Sequence, residues 1–331
     1  MAGILIVAES DEDRLRPEFW ELLTVGHRLS DSVPGPLRIG LFGWSLGAVA
    51  ESARRAGASE VHLMEDERLT EPWPEAHTEA LAELCSELEP DVVIVPRTVL
   101  GSEVAARLSA RLGSALVQDA VEIELDGSSL RARRPVFGGA VLATVRATAR
   151  PWVVVPRPRA FAAAEATPGS LCELIHHRPS LAGELRTQCG ARKRHAGNGQ
   201  DIEQAAVVVA GGAGLGGPEP FDLLREVAGL LGGAVAASRP PCDTGWVDTA
   251  LQVGLTGKTV APELYLAVGI SGASQHLMGC SSAQVIVAVN NDPAAPIFNV
   301  ANYGVVGDWR EVMPAFRDAL EARQKALGGV A

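Results

Sequence analysis

Short apolar runs alternate with stretches of helical spacing through most of the chain. Residues 3–8 and 37–42 read as buried strands. Leu46, Val49, Ala50 and Ala53 then fall at helical spacing, and Gly57 closes that helix. Residues 61–64 read as a third strand. Leu81, Leu84, Cys85 and Leu88 mark one face of a helix over 78–88, stopped by Pro90. DVVIVP at 91–96 is a fourth strand, and Val104, Ala105, Leu108 and Leu112 give the next helix its buried stripe. This alternation predicts a mostly parallel sheet with helices on both faces. After Ala115 the pattern changes. Residues 121–125, the turn Asp126-Gly127 and residues 130–135 predict a hairpin, with further strands at 140–146 and 152–155.

From about 176 to 200 apolar periodicity fades, and Arg178, Arg186, Arg192, Lys193 and Arg194 lead into Gly197-Asn198-Gly199. That composition predicts a linker between an N-terminal α/β domain, 1–190, and a second domain, 200–331. The second half restarts the alternation. A strand at 205–210 runs into GGAGLGGPEP and a helix over 221–231, and a strand at 234–237 ends in Ser238-Arg239-Pro240. QVGLTGK at 252–258 is a glycine-rich loop. Strands at 264–268 and 285–289 follow, and a last helix covers 308–327. Ligands in open parallel sheets sit at the carboxyl ends of strands. Those ends carry glycines, Ser-Arg, then Ser271, Gln275 and His276, then Asn290. The set suits a dinucleotide.

Composition narrows the partners. With 331 residues there is enough chain for two cores, and 47% apolar content with 5% aromatic and 35 glycines suits close packing on small side chains. A net charge of −11 argues against nucleic acid as a main partner, though it leaves room for a bound nucleotide. Five widely spaced cysteines without a CxxC pair indicate neither a zinc site nor a disulfide framework. The opening MAGILIVAES reads as a first strand with no leader, and no run is apolar enough for direct membrane insertion. A cytoplasmic protein is expected. In the first half, His62 and His77 stand alone as structural residues, and Glu65-Asp66-Glu67 reads as a solvated loop.

Two cofactor readings compete. Gly212, Gly214 and Gly217 satisfy GxGxxG between a strand and a helix, and Arg239 at the next strand end suits a 2′-phosphate. That pair supports an NADP-dependent oxidoreductase. Against it, no Tyr-Lys pair or paired His and Asp suits hydride transfer.

LYLAVGISGASQHLMGCSSAQVIVAVN at 264–290 resembles the signature of the electron-transfer flavoprotein alpha subunit, Y-x-A-x-GISG-x-x-QH-x-x-G with A-x-N. TEALAELCSELEPDVVIVP, EVAARLSARLGSALVQD and RRPVFGGAVLATVR look like the amino-terminal domain of that family. ASRPPCDTGW, QVGLTGKTVAPELY and NNDPAAPIFNVANYGVVGDW look like its flavin domain. The resemblance implies an electron carrier without substrate turnover of its own. It would have a Rossmann-like FAD-binding domain at 200–331 and a scaffold and subunit-interface domain at 1–190. It further implies a heterodimer with a beta subunit, flavin dehydrogenases of the acyl-CoA type as donors in fatty acid β-oxidation, and a membrane quinone oxidoreductase as acceptor. By position, Ser238 and Arg239 would lie at the flavin, Arg239 near the isoalloxazine, and Thr256 near flavin N5 within the loop of Gln252, Gly254 and Gly257. Ser271, Gln275 and His276 would contact the cofactor, His276 near the C2 carbonyl. Asn290 and Asp308 would bind toward the ADP end. The turns at Gly212, Gly214 and Gly272 would offer backbone N–H groups to the pyrophosphate. Two positions depart from the family pattern: Ala213 replaces an Arg in the first glycine loop, and Leu255 replaces a Gln in QVGQTGK. Both put the redox potential and the donor in question.

Overall fold

The computed structural model describes residues 3–11, 13–139, 141–165, 171–181, 185–187, 190 and 201–328. The chain forms two compact units, Met1–Arg192 and Lys193–Ala331.

In the first unit the strands are β1 (Ile4–Ala8), β2 (Ser10–Asp11), β3 (Arg14–Leu15), β4 (Leu37–Gly43), β5 (Glu60–Glu65), β6 (Val92–Ile94), β7 (Leu116–Ala120), β8 (Glu122–Asp126), β9 (Ser129–Val136), β10 (Val141–Ala147), β11 (Trp152–Pro156) and β12 (Glu173–His177). The helices are α1 (Glu18–Ser30), α2 (Gly47–Ala53), α3 (Pro74–Leu88) and α4 (Val99–Leu112). Seven strands make one sheet in the order β12-β5-β4-β1-β6-β11-β7, and every neighbouring pair is parallel. Successive side chains of a strand point to opposite faces. Ile4, Ile6 and Ala8 therefore enter one core with α1 and α2, whereas Leu5 and Val7 enter the other with α3 and α4. The predicted hairpin is β8–β9, turned at Gly127 and extended by β10 into an antiparallel sheet.

Three elements go beyond the periodicity reading. Helix α1 holds Gly26, ordinarily a weak helix residue. A Cβ there would come within 2.7 Å of Ile6 and 2.9 Å of Leu37, so the glycine lets the helix lie directly on the sheet. The short strand β7 is bent at Asp119, whose φ is 63°. The predicted linker also starts too early: His176 and His177 belong to β12, paired with β5, and residues 191–200 lie outside the described residues.

His62 does not stand alone. Its Nδ1 lies 3.0 Å from His177 Nε2 and its Nε2 lies 3.1 Å from Glu60, tying edge strand β12 to β5 by side chains as well as backbone. Burial pulls the His62 pKa down. His177→Phe would leave a buried ring nitrogen without a partner. It is expected to cost about 1–2 kcal/mol, read as a lower urea midpoint at constant slope. His77 is buried with Nδ1 on the Trp73 carbonyl, a structural role. In the acidic run, Glu65 accepts from the Leu46 N–H, and Asp66 caps a short turn through Arg68.

The second unit holds β13 (Val207–Gly211), β14 (Ala234–Ala237), β15 (Leu264–Val268), β16 (Val285–Asn290) and β17 (Tyr303–Val306), with α5 (Pro220–Leu230), α6 (Arg239–Asp243), α7 (Ser274–Cys280) and α8 (Trp309–Gly328). The order is β14-β13-β15-β16-β17, again parallel throughout. Helices α5 and α8 cover one face through Phe221, Leu224 and Met313. On the other face α7 and the loops pack through Cys280, Val253 and Ile297. Among the described residues no helix is long and apolar enough to cross a membrane, and no cluster could hold a metal ion. Cys85, Cys172, Cys242 and Cys280 are free and buried; Cys189 lies outside the described residues.

Candidate functional site: the carboxyl edge of the second sheet

Counted along the second unit, the strand order is 2-1-3-4-5, a doubly wound order in which the progression across the sheet switches sides between the first and third strands. The turns after β13 and β15 meet at that switch. Gly212 N–H donates to the Val268 carbonyl (2.9 Å), and Gly214 N–H donates to the Gly269 carbonyl (3.0 Å). A Cβ at Gly212 would sit 2.1 Å from the Gly269 oxygen, so the two backbones touch directly.

This contact decides the meaning of the first glycine run. Leu215 and Gly216 donate their N–H groups within the run itself, to Gly212 and Ala213. The entry of α5 already carries Glu219 at its N-cap and Asp222 in its first turn. A phosphate at the start of α5 would meet those two carboxylates. The N–H groups of Gly212 and Gly214 thus serve the packing of this turn on the one after β15.

The second turn is different. Gly269 and Gly272 take left-handed backbone angles, φ 62° and 85°, and Gly272 lies against Ile297, whose nitrogen would be 2.2 Å from a Cβ. Among the described residues no acceptor takes the N–H groups of Ser271, Gly272, Ser274 or Gln275. Ser271 and Gln275 are exposed beside them, Gln275 Oε1 3.3 Å from Ser274 Oγ. Asn290 faces this turn from β16. Its Nδ2 donates to the Ile270 carbonyl (2.9 Å) and its Oδ1 accepts from the Asp292 N–H (2.9 Å), so it shapes the turn.

Ser238 and Arg239 leave the end of β14. Ser238 is buried, starts α6 and makes no side-chain cap bond to it. Arg239 is mostly exposed, with Nε 3.0 Å from Asp243. The glycine-rich loop runs alongside: Val253 N–H donates to the Ala237 carbonyl, and the buried Gln252 donates Nε2–H to Thr256 Oγ1 (2.9 Å). Gly254 (φ 146°) and Gly257 permit this tight course, since a Gly257 Cβ would lie 2.4 Å from the Gln252 oxygen. Leu255, Thr256 and Gly257 are consecutive exposed residues at its tip.

His276 is buried beneath that loop, with Nδ1 3.0 Å from the Val253 carbonyl and Nε2 3.0 Å from the Tyr265 hydroxyl. Burial pushes its pKa down to about 4. Asp308 accepts from the Arg310 N–H (2.9 Å) at the start of α8, and that bond lowers its pKa. Trp309 Nε1–H reaches the Gly214 carbonyl (3.1 Å), bringing α8 onto the first glycine turn. Tyr265, Trp309 and Gly279 were not singled out from the sequence as site residues. Tyr265 nevertheless stands in the Y-x-A landmark, and a Gly279 Cβ would lie 2.3 Å from the Gly254 nitrogen.

An unpartnered hydroxyl, an exposed guanidinium, an exposed hydroxyl loop and an open N–H turn therefore share one sheet edge. Sheet order and donor set together define an α/β protein built to hold a large nucleotide cofactor. The family model of the electron transfer flavoprotein domain matches residues 4–178, and that of the electron transfer flavoprotein FAD-binding domain matches residues 201–281. "Protein FixB" of Clostridium saccharobutylicum is 37% identical over 316 residues, covering 94% of each chain. "Electron transfer flavoprotein subunit alpha" of Thermoanaerobacterium thermosaccharolyticum is 34% identical, covering 96% of this chain and 97% of its own. That of Megasphaera elsdenii is 35% identical over 98% of both. The chain belongs to the electron transfer flavoprotein family, among the alpha subunits, and its cofactor is FAD.

Proposed function

We propose that this chain pairs with an electron-transfer flavoprotein beta subunit in the cytoplasm and carries electrons from flavin dehydrogenases of the acyl-CoA type to a membrane quinone oxidoreductase. The observation that carries the reading is the edge just described, in a chain related to alpha subunits over nearly its whole length. The second unit holds FAD, and the first unit serves as scaffold and subunit interface. The carrier turns over no substrate of its own.

FAD supplies the electron-accepting ring. The chain supplies its surroundings. Arg239 places a positive charge where negative charge develops on reduction, favouring the reduced form. Thr256 Oγ1 accepts from Gln252 and keeps its own O–H free to donate. Ser238 Oγ adds a hydroxyl at the end of β14, and the turn at 271–275 offers N–H groups to phosphate oxygens. Leu255 brings an apolar side chain to the loop tip where a Gln is usual. A Cβ at Gly216 would lie 4.0 Å from Arg310 Nη2, so a guanidinium, paired with Asp308, stands near the first glycine turn despite Ala213. Ala213 and Leu255 mark a specialised paralogue serving a dehydrogenase other than the general fatty-acid ones.

The test is co-purification with the beta subunit, FAD counting, and visible spectra with an acyl-CoA dehydrogenase and its substrate as reductant. A yellow complex with one FAD in this chain, bleached by the dehydrogenase and indifferent to NADPH, is expected. A colourless complex, or bleaching by NADPH without the second subunit, would return the NADP-dependent oxidoreductase reading. Arg239→Ala is expected to lower the two-electron FAD midpoint potential by about 30 mV or more, one lost charge interaction of about 1.4 kcal/mol. Potentiometric titration measures it.

A further inference from the structure

The start of α8 brings two side chains onto the first glycine turn. Asp308 accepts from the Arg310 N–H (2.9 Å) and so opens the helix. Trp309 Nε1–H reaches the Gly214 carbonyl (3.1 Å), and the Gly214 N–H is given to the Gly269 carbonyl (3.0 Å). Those two bonds set α8, the first glycine turn and the start of the turn after β15 together. The Arg310 guanidinium is held from two directions. Its Nη1 lies 3.2 Å from Asp308 Oδ2, and its central carbon stands 5.1 Å from the centre of the Trp309 ring. Its Nη2 points toward the turn, 4.0 Å from where a Gly216 Cβ would be. Among the described residues no acceptor takes Nη2. Ala213, Gly214 and Gly216 are the exposed residues of that turn.

We propose that Arg310 is a binding residue for the diphosphate of FAD, with its unused guanidinium edge directed to the phosphate oxygens. The proposal rests on the FAD reading of the second unit. An exposed ion pair by itself adds little to stability, so the bond to Asp308 does not account for a guanidinium fixed in this place. The pairing does two things for an anion instead. It offsets the Asp308 carboxylate, which would repel a phosphate at this edge, and it leaves the second arm of a planar fork that matches phosphate oxygens. The turn with the open N–H groups of Ser271 and Gly272 starts at Gly269, on the same glycine turn that Arg310 overlies. The diphosphate carries the same charge in oxidised and reduced FAD. Arg310 therefore holds both forms equally and sets affinity, whereas Arg239 sets potential.

The test uses the complex with its beta subunit, stripped of FAD and titrated with FAD and with ADP. Arg310→Ala is expected to raise both dissociation constants about tenfold and to flatten the dependence of affinity on salt. The FAD midpoint potential is expected to stay at the wild-type value. Arg310→Lys, a charge without the fork, is expected to fall between, and it decides by the same titrations should Arg310→Ala fail to fold. Ala213→Arg, at an exposed residue of the turn, is expected to restore affinity to Arg310→Ala, a rescue that a helix-capping role would not permit. Wild-type affinities in Arg310→Ala would overturn the proposal. So would a loss confined to FAD with a shifted potential, or a loss that follows a lower urea midpoint and resists Ala213→Arg. A wild-type complex that binds ADP through Arg310 and refuses FAD would overturn the cofactor reading and leave the diphosphate site standing. One that binds neither would overturn both.

Discussion

Gly272→Ala is expected to destabilise the second unit by about 3 kcal/mol or more and to abolish FAD binding. Two effects combine. The residue sits at φ 85°, where a side chain is strained, and its Cβ would lie 2.2 Å from the Ile297 nitrogen and 2.5 Å from its Cα. Both contacts are backbone, so no rotamer change relieves them. The turn would move away from Ile297 and carry Ser271 with it. Gly229→Ala is the control: its Cβ meets nothing within 4 Å in α5, and a gain of about 0.5–1 kcal/mol is expected. Denaturant midpoints and FAD content of the two variants decide. Equal behaviour would show that the turn is not the constrained element.

Acidification is expected to loosen the second unit by about 2 kcal/mol between pH 7 and pH 5. His276 titrates near pH 6.5 in an unfolded chain, and burial pushes it to about 4 in the folded one. Between those values the unfolded state binds a proton that the folded state refuses, so stability falls as pH falls through that window. Asp308, whose pKa is lowered by the bond from the Arg310 N–H, has the same sign but acts only at more acid pH, below the ordinary carboxylate range. In the first unit Glu21 opposes: burial raises its carboxyl to about 7, so its contribution is lost as pH rises from about 4.5 to about 7. His62 and His77 there follow the sign of His276. Hydrogen exchange resolved by segment, corrected for intrinsic rates, separates the units. Protection of β15 that does not fall at pH 5 would contradict the buried neutral His276.

Most strands were legible because parallel strands buried on both faces read as continuous Val, Ile and Leu runs, as in β1, β11 and β15. The elements that escaped share a different physics. In α1 the central Gly26 reads as a breaker, yet it exists for contact with Ile6 and Leu37, which no local pattern reveals. The edge strands β7 and β12 are half exposed and mix polar with apolar residues, and the four residues of β17 are all exposed, so no buried run marks them. At the site, the residues at each strand end could be named from position alone. Their orientation could not. Asn290 bonds to the Ile270 carbonyl and His276 to the Val253 carbonyl, contacts that no local pattern announces. Of the GxGxxG glycines, Gly212 and Gly214 give their amides to the Val268 and Gly269 carbonyls, more than fifty residues later in the sequence.

The tie between the turns at Gly212–Gly214 and Val268–Gly269 is made by backbone hydrogen bonds of the chain itself. The conformational entropy of shaping that floor is lost once, during folding, so binding starts from a prepared surface. What freedom remains lies in the exposed tip at Leu255, Thr256 and Gly257. Ordering on FAD uptake is thereby confined to a few residues. Cofactor affinity should then respond more to the stiffness of that tip than to added contacts along the floor.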